Sequence, residues 1–295
     1  RYPLVTGVQT CALPISMAFV ALVVVLLFYR NVDEHGAGRT AREIFAGLLR
    51  VVKNVRFMAL IIIVGGFWAI QGQLYATMPK YTIRLIGQGA SPEWLANINP
   101  FIVVLLVIPI THLMRKVRPV GSIAVALLII PFSALAISLS PVLEGITGPS
   151  IRLVGSLSMS PITAMMIIGI ALQGLAECFL SPRFYEYASR QAPEGETGLY
   201  MGYSSLTTFF AWLFGFAISG YLLDAYCPDP KKVAPEMMQA AYAHAHYIWY
   251  YFAAIGVAAF LLLLVFRYVT DRIDAARRAS EPPAEEEPVP FIEEE

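Results

Sequence analysis

Six stretches of mainly apolar residues recur along the chain, at Phe57–Met78, Leu95–Met114, Pro119–Leu139, Ile162–Ala188, Leu199–Leu222 and Tyr247–Tyr268. About 20 such residues cross the hydrocarbon core of a bilayer as a helix. Inside hydrocarbon, a helix satisfies every backbone N–H and C=O within its own segment. The runs therefore predict an all-α, multi-pass membrane protein, with the lipid bilayer as its first partner. Only 14% of residues are charged, against about 25% for soluble domains. Pro182 inside the fourth run is expected to kink or tilt it. Tyr247, Trp249, Tyr250, Tyr251 and Tyr268 place aromatic belts at both ends of the last.

The spans alternate sides, so the loops between them can be compared for Lys and Arg. The loops 30–56, 115–118 and 189–198 and the segment from Arg267 onward hold 14 of these residues, and the opposite loops, 79–94, 140–161 and 223–246, hold 5. Positive-inside bias assigns the first group, and the C-terminus, to the cytoplasmic side of the cytoplasmic membrane. Acidic and basic residues balance at 21 each, so no net charge recruits nucleic acid. Cys11, Cys178 and Cys227 have no metal-ligand spacing and form no readable disulfide framework. No phosphate-binding loop, zinc-protease motif or serine-hydrolase motif is present. Nothing pairs a nucleophile with a base, and an enzyme is the least expected class. His244 and His246 are too few ligands for a metal site.

Three further segments frame the spans. Val5–Ile15 resembles the translation of a short-read sequencing adapter, so residues 1–15 are expected to be an artefact preceding the natural chain. Ser16–Tyr29 supplies only fourteen mainly apolar residues and reads as a truncated helix. In the loop 30–56, Thr40 and Glu43 form a T-x-x-E capping box. Ile44, Phe45, Leu48, Val51, Val52 and Val55 then recur at helical spacing, with Arg42, Arg50 and Lys53 off that stripe. A cytoplasmic linker carrying a basic amphipathic helix is expected there. Residues 269–295 are expected to form a disordered tail, acidic and proline-rich beyond Ala279.

The most informative polar residue is Glu177, in the middle of the fourth span, with no basic residue within five positions on either side. A carboxylate at that depth costs several kcal/mol and generally faces a polar cavity. This points to transport of a polar solute, with a proton as the coupling ion. A protonated acid hydrogen-bonded between helices is the competing reading. Arg183 and Glu186, three apart on the same helix, are expected to pair. Gln71, Gln73 and Tyr75 lie two apart in the first span, so they cannot share one helical face; at least one is expected to reach a cavity and the others to bond neighbouring helices. Ala211, Gly215 and Ser219 form a small-xxx-small ridge suited to close helix packing.

A truncated helix, an amphipathic linker and six further spans resemble the second half of a major facilitator superfamily transporter. Within it, three motifs resemble the proton-dependent oligopeptide transporter (POT/PTR) family. Phe67, Trp68, Ile70 and Gln73 resemble an FWxIxxQ stretch in that family's seventh helix. Asn97, Asn99, Pro100 and Pro109 resemble its eighth. Leu175, Glu177, Ser181 and Pro182, running on to Gln191–Pro193, resemble its tenth. The resemblance implies the C-terminal six-helix half, helices seven to twelve, of a twelve-helix fold, preceded by the end of helix six.

It also implies roles. Glu177 is the acid that meets a substrate amine and couples the proton, Trp68 is a pocket aromatic and Asn99 a substrate ligand. Gln71 and Gln73 are further candidates for the pocket, and Tyr203 and Thr207 fall where the eleventh helix offers an aromatic and a hydroxyl. The chain departs from the family at Gln71-Gly72, where an acid is often found, which speaks against a proton relay through helix seven. The expected function is proton-coupled symport of small peptides or similar polar solutes by alternating access, completed by a missing N-terminal six-helix half. No cofactor is expected; the proton gradient supplies the coupling ion. A facilitator for another organic solute and a non-transporting membrane receptor or anchor are the alternatives.

Overall fold

The computed structural model describes residues 5–28, 40–87, 92–152, 158–193 and 195–280, with side chains from Ser16 onward apart from residues 41, 43 and 44. Two compact units are delimited, 1–47 and 48–295. The first contains α1 (Val5–Phe28) and most of the first turns of α2 (Ala41–Lys53). α1 runs without a break through Val5–Ile15 into the apolar segment from Ser16. α2 begins directly after Thr40, where the capping box places its start.

The second unit opens with α3 (Val55–Gln71), whose Asn54 side chain accepts from the Phe57 N–H at 3.1 Å and caps the helix. A 3₁₀ turn at Gly72–Leu74 separates it from α4 (Thr77–Ile86). Then follow α5 (Pro92–Ala96), α6 (Ile98–Met114), α7 (Pro119–Ser138) and α8 (Ser140–Thr147). A two-residue antiparallel pair joins β1 (Ile151–Arg152) to β2 (Ser158–Met159). The chain continues through α9 (Pro161–Gln191), α10 (Thr197–Ser204), α11 (Leu206–Tyr226), α12 (Met238–Tyr242) and α13 (Tyr247–Ser280). Among the described residues, six helical segments are long and apolar enough to cross a membrane, beginning at Val55, Pro92, Pro119, Pro161, Thr197 and Pro235.

These segments pack in the order α6, α9, α7, α13, α3, α11, each mainly against the next. Glycines set two of the closest approaches. A Cβ at Gly66 would lie 2.5 Å from the Ala259 Cβ, and one at Gly169 would lie 2.7 Å from the Ser133 carbonyl oxygen. Only a residue without a side chain lets α3 meet α13, and α9 meet α7, at these separations. The Ala211–Gly215–Ser219 ridge is buried as expected; a Cβ at Gly215 would stand 3.4 Å from the Ala69 carbonyl oxygen across the α11–α3 seam.

Two boundaries differ from expectation. α13 does not stop at Tyr268 but continues as helix to Ser280, so 269–280 is not part of a disordered tail. Asp274 in this extension pairs with Arg56 of α3 at 2.5 Å, and Arg272 lies over the Tyr268 ring. These contacts hold the added turns. Residues 281–295 lie outside the described residues. The first span is also longer than its apolar run, extending to Ile86 with a break in the middle.

Candidate functional site

α9 carries Glu177 into the bundle, and two neighbouring helices meet it there. Gln71, the last residue of α3, donates its side-chain N–H to Glu177 Oε2 at 3.0 Å. Asn99, in the first turn of α6, donates to the same oxygen at 3.2 Å. Pro100 beside it has no N–H to offer, which a first helical turn tolerates. The approach of α6 to α9 depends on Gly174, one turn before Glu177. A Cβ there would meet Asn99 Oδ1 at 2.9 Å and the Ile102 Cβ at 3.0 Å.

The carboxylate opens onto a cavity of about 340 Å³ whose walls include Trp68, Gln71, Tyr75, Asn99 and Glu177 together with Gly72, Pro100, Val103 and Trp212. The Trp212 indole of α11 lies against Gly72, where a Cβ would be 3.0 Å from its Cδ1. It stacks on Phe216 with ring centroids 5.7 Å apart. Among the described residues no Lys, Arg or His pairs with Glu177. The carboxyl group is held by two neutral amides, and those amides are themselves nearly enclosed, with Gln71 4% and Asn99 5% exposed. Their carbonyl oxygens, Gln71 Oε1 and Asn99 Oδ1, have no hydrogen-bond partner among the described residues. The arrangement offers a half-buried carboxylate, unpartnered acceptors beside it and aromatic faces. It is suited to a cation or to a proton.

Four of the seven residues expected at a binding site, Glu177, Trp68, Gln71 and Asn99, are brought together. Gln73 is not. It follows the helix break and turns to the opposite side, where its Nε2 donates to the Ala69 carbonyl at 2.8 Å and its Oε1 accepts from Thr77 at 2.6 Å. Thr77 in turn bonds Ser219 of α11 at 2.6 Å, all within the buried seam. A side chain that bonds back to the carbonyl four residues earlier competes with the helical ladder, and with Gly72 it accounts for the 3₁₀ turn. Thr207 is buried at the start of α11 and donates to the Ser204 carbonyl at 2.7 Å. Tyr203 packs beside the core in α10. Neither is among the residues that line the cavity.

Tyr75 and Trp212 take the places in the wall that Gln73, Tyr203 and Thr207 do not. The polarity of Tyr75 within a span marks it in the sequence. Trp212 lies in an apolar run with Phe209, Phe210, Phe214 and Phe216, where nothing in the composition sets it apart. Lower on α9, Arg183 Nη1 donates to Glu186 at 2.5 Å, the expected pair, and Glu186 also accepts from Arg190 at 2.7 Å.

Comparison with known proteins adds two findings. Residues 145–294 match the family model of the Major Facilitator Superfamily. The Multidrug resistance protein MdtH of Cronobacter sakazakii (strain ATCC BAA-894) is 23% identical over 218 residues, which are 74% of this chain and 46% of that protein. The chain thus spans less than half the length of the relative it matches.

Proposed function

The chain belongs to the Major Facilitator Superfamily, and from that premise we propose that it forms the six-helix C-terminal half of a secondary active transporter whose solute carries a protonated amine that binds at Glu177. The observation that carries this reading is the carboxylate itself: it faces a cavity, it is held only by neutral amide donors, and it has no cationic partner among the described residues. Sites in transporters of this kind lie near the bilayer midplane between two halves that open alternately. The missing N-terminal half would supply the facing wall. Protonation of Glu177 would compete with the amine, which couples the two in exchange; symport would carry its proton on a second group, in the N-terminal half.

Two solute classes fit this chemistry. The motif resemblance to proton-dependent oligopeptide transporters favours symport of small peptides, whose amino terminus would meet Glu177 while Asn99 and Gln71 orient it. A specific observation favours a second class: three aromatic side chains, Trp68, Tyr75 and Trp212, stand around the carboxylate. Aromatic faces add roughly 0.5–2 kcal/mol for a cation. That wall suits a lipophilic organic cation exchanged for protons, and the relative in Cronobacter sakazakii is named as a multidrug resistance protein. The proposed setting is the cytoplasmic membrane with the C-terminus inside, on the 14-to-5 distribution of basic residues.

The test is movement of label into and out of cells expressing the full-length protein, with a labelled dipeptide and with a labelled lipophilic tertiary amine. Glu177→Gln keeps volume and hydrogen bonding but cannot carry charge. It is expected to abolish gradient-driven movement of the true solute while expression and insertion stay normal. An amine left without its counter-ion loses on the order of 2–5 kcal/mol. If Glu177 served only packing, the change would be nearly silent, since hydrogen bonds between membrane helices average about 0.6 kcal/mol. Wild-type transport by the Gln variant would therefore overturn the assignment of Glu177, and the two labels separate the solute classes.

A further inference from the structure

A second cavity, of about 380 Å³, lies away from Glu177 at the end of the bundle where α3 and α7 begin and α9 and α13 pass. Three arginines and two aspartates line it. Arg56 and Asp274 neutralise each other at 2.5 Å. Arg118, Arg267 and Asp271 line it without any ion pair among the described residues. The cavity therefore holds one positive charge in excess. Tyr187 adds a hydroxyl to its wall and Phe266 an apolar surface. On the bilayer side of Arg267 along α13, Leu261, Leu264 and Val265 are apolar and exposed, 54%, 42% and 59%.

We propose that this cavity binds the phosphate of an anionic phospholipid, with Arg118 and Arg267 on the phosphate oxygens. Guanidinium forks match phosphate geometry. The single unmatched charge suits a phosphodiester, which carries one negative charge, better than a phosphomonoester, which carries about two near neutral pH. The position suits a lipid: the cavity is on the side that holds most of the Lys and Arg, and anionic lipids concentrate in the cytoplasmic leaflet and occupy basic pockets between helices. Exposed apolar residues next to the arginines provide a path for the acyl chains. The proposal rests on the orientation proposed above, but not on the identity of the transported solute.

Binding can be read without transport, so its failure leaves the Glu177 reading untouched. The full-length protein in nonionic detergent is titrated with dioctanoyl-phosphatidylglycerol, dioctanoyl-phosphatidylcholine and inorganic phosphate, and bound ligand is counted by native mass spectrometry. Phosphatidylglycerol is expected to bind at least about tenfold more tightly than phosphatidylcholine. The double variant Arg118→Gln/Arg267→Gln is expected to lose about thirtyfold for phosphatidylglycerol, with phosphatidylcholine unchanged. Arg118→Lys/Arg267→Lys, which keeps the charge, is expected to retain most of the binding and so guards against misfolding. Asp271→Asn is expected to tighten it. Phosphatidylglycerol binding that survives the double Gln change would overturn the site. Inorganic phosphate binding as tightly as phosphatidylglycerol would overturn the lipid source.

Discussion

Gly174 deserves the same weight at the binding site as the residues with functional groups. It allows α6 to sit close enough to α9 for Asn99 to reach Glu177, and its Cβ would fall 2.9 Å from Asn99 Oδ1. Gly174→Val is therefore expected to weaken solute binding at least about fivefold in an equilibrium assay on the purified full-length protein, with the protein still inserted; overpacking of this kind costs about 1–3 kcal/mol. Unchanged binding would show that Asn99 contributes nothing to the site. Polar residues in apolar runs are conspicuous, which is why Glu177 and Gln71 stand out in the sequence, whereas Asn99 and Trp68 are reached through the motif resemblance. Gly174 is legible in neither way, because a glycine in a span gives no sign of which neighbour it admits. Gln73 was placed in the pocket because residue type, and not facing, is what a sequence shows. Its two-residue offset from Gln71 and its bond back to the Ala69 carbonyl decide which way it points.

At the scale of elements, the six spans follow from length and hydropathy alone, and the arrangement bears out the small-residue ridge of α11. What hydropathy misses is where helices break or continue. The pause at Gly72–Leu74 is made with the Gln73 side chain bonding back to the Ala69 carbonyl, and the continuation of α13 past Tyr268 is held by a distant arginine, Arg56. Neither leaves a trace in average polarity. The Gln73–Thr77–Ser219 chain joins the broken span to α11. A double-mutant cycle on Thr77→Val and Ser219→Ala, read by thermal unfolding in detergent, is expected to return a coupling of about 0.6 kcal/mol. Zero coupling would mean that the two hydroxyls do not bond each other in the membrane.

For the whole molecule, orientation is the first thing to test. In a cysteine-free background, a cysteine replacing Ala234 is expected to react with an impermeant thiol reagent from outside the cell, and one replacing Ala279 only after the cells are opened. Reversed labelling would invert the proposed topology. The native Cys227 is a useful contrast, since it is fully buried just past the end of α11 and burial pushes its thiol up to about 11. Only about one thiol in 10⁴ is ionised at pH 7, so Cys227 is expected to stay unlabelled at neutral pH and to react faster as pH rises. We also propose that residues 1–15 are absent from the natural gene; a product amplified from source DNA that encodes Val5–Ile15 ahead of Met17 would refute this.

The break in the first span has a mechanical consequence. α4 is ten residues long, a rod of about 15 Å, and the 3₁₀ turn beside Glu177 is its fulcrum. Thr77 stands at the fulcrum and Arg84 near the far tip, where the guanidinium grips the Cys227 carbonyl at the end of α11. A tilt of about 10° would move the tip by roughly 2.6 Å over that length while hardly displacing Thr77. The hydroxyl bond to Ser219 would act as the pin of a hinge and the arginine as its latch. A bend at the 3₁₀ turn would thus be magnified into release of that grip at the far end of α4.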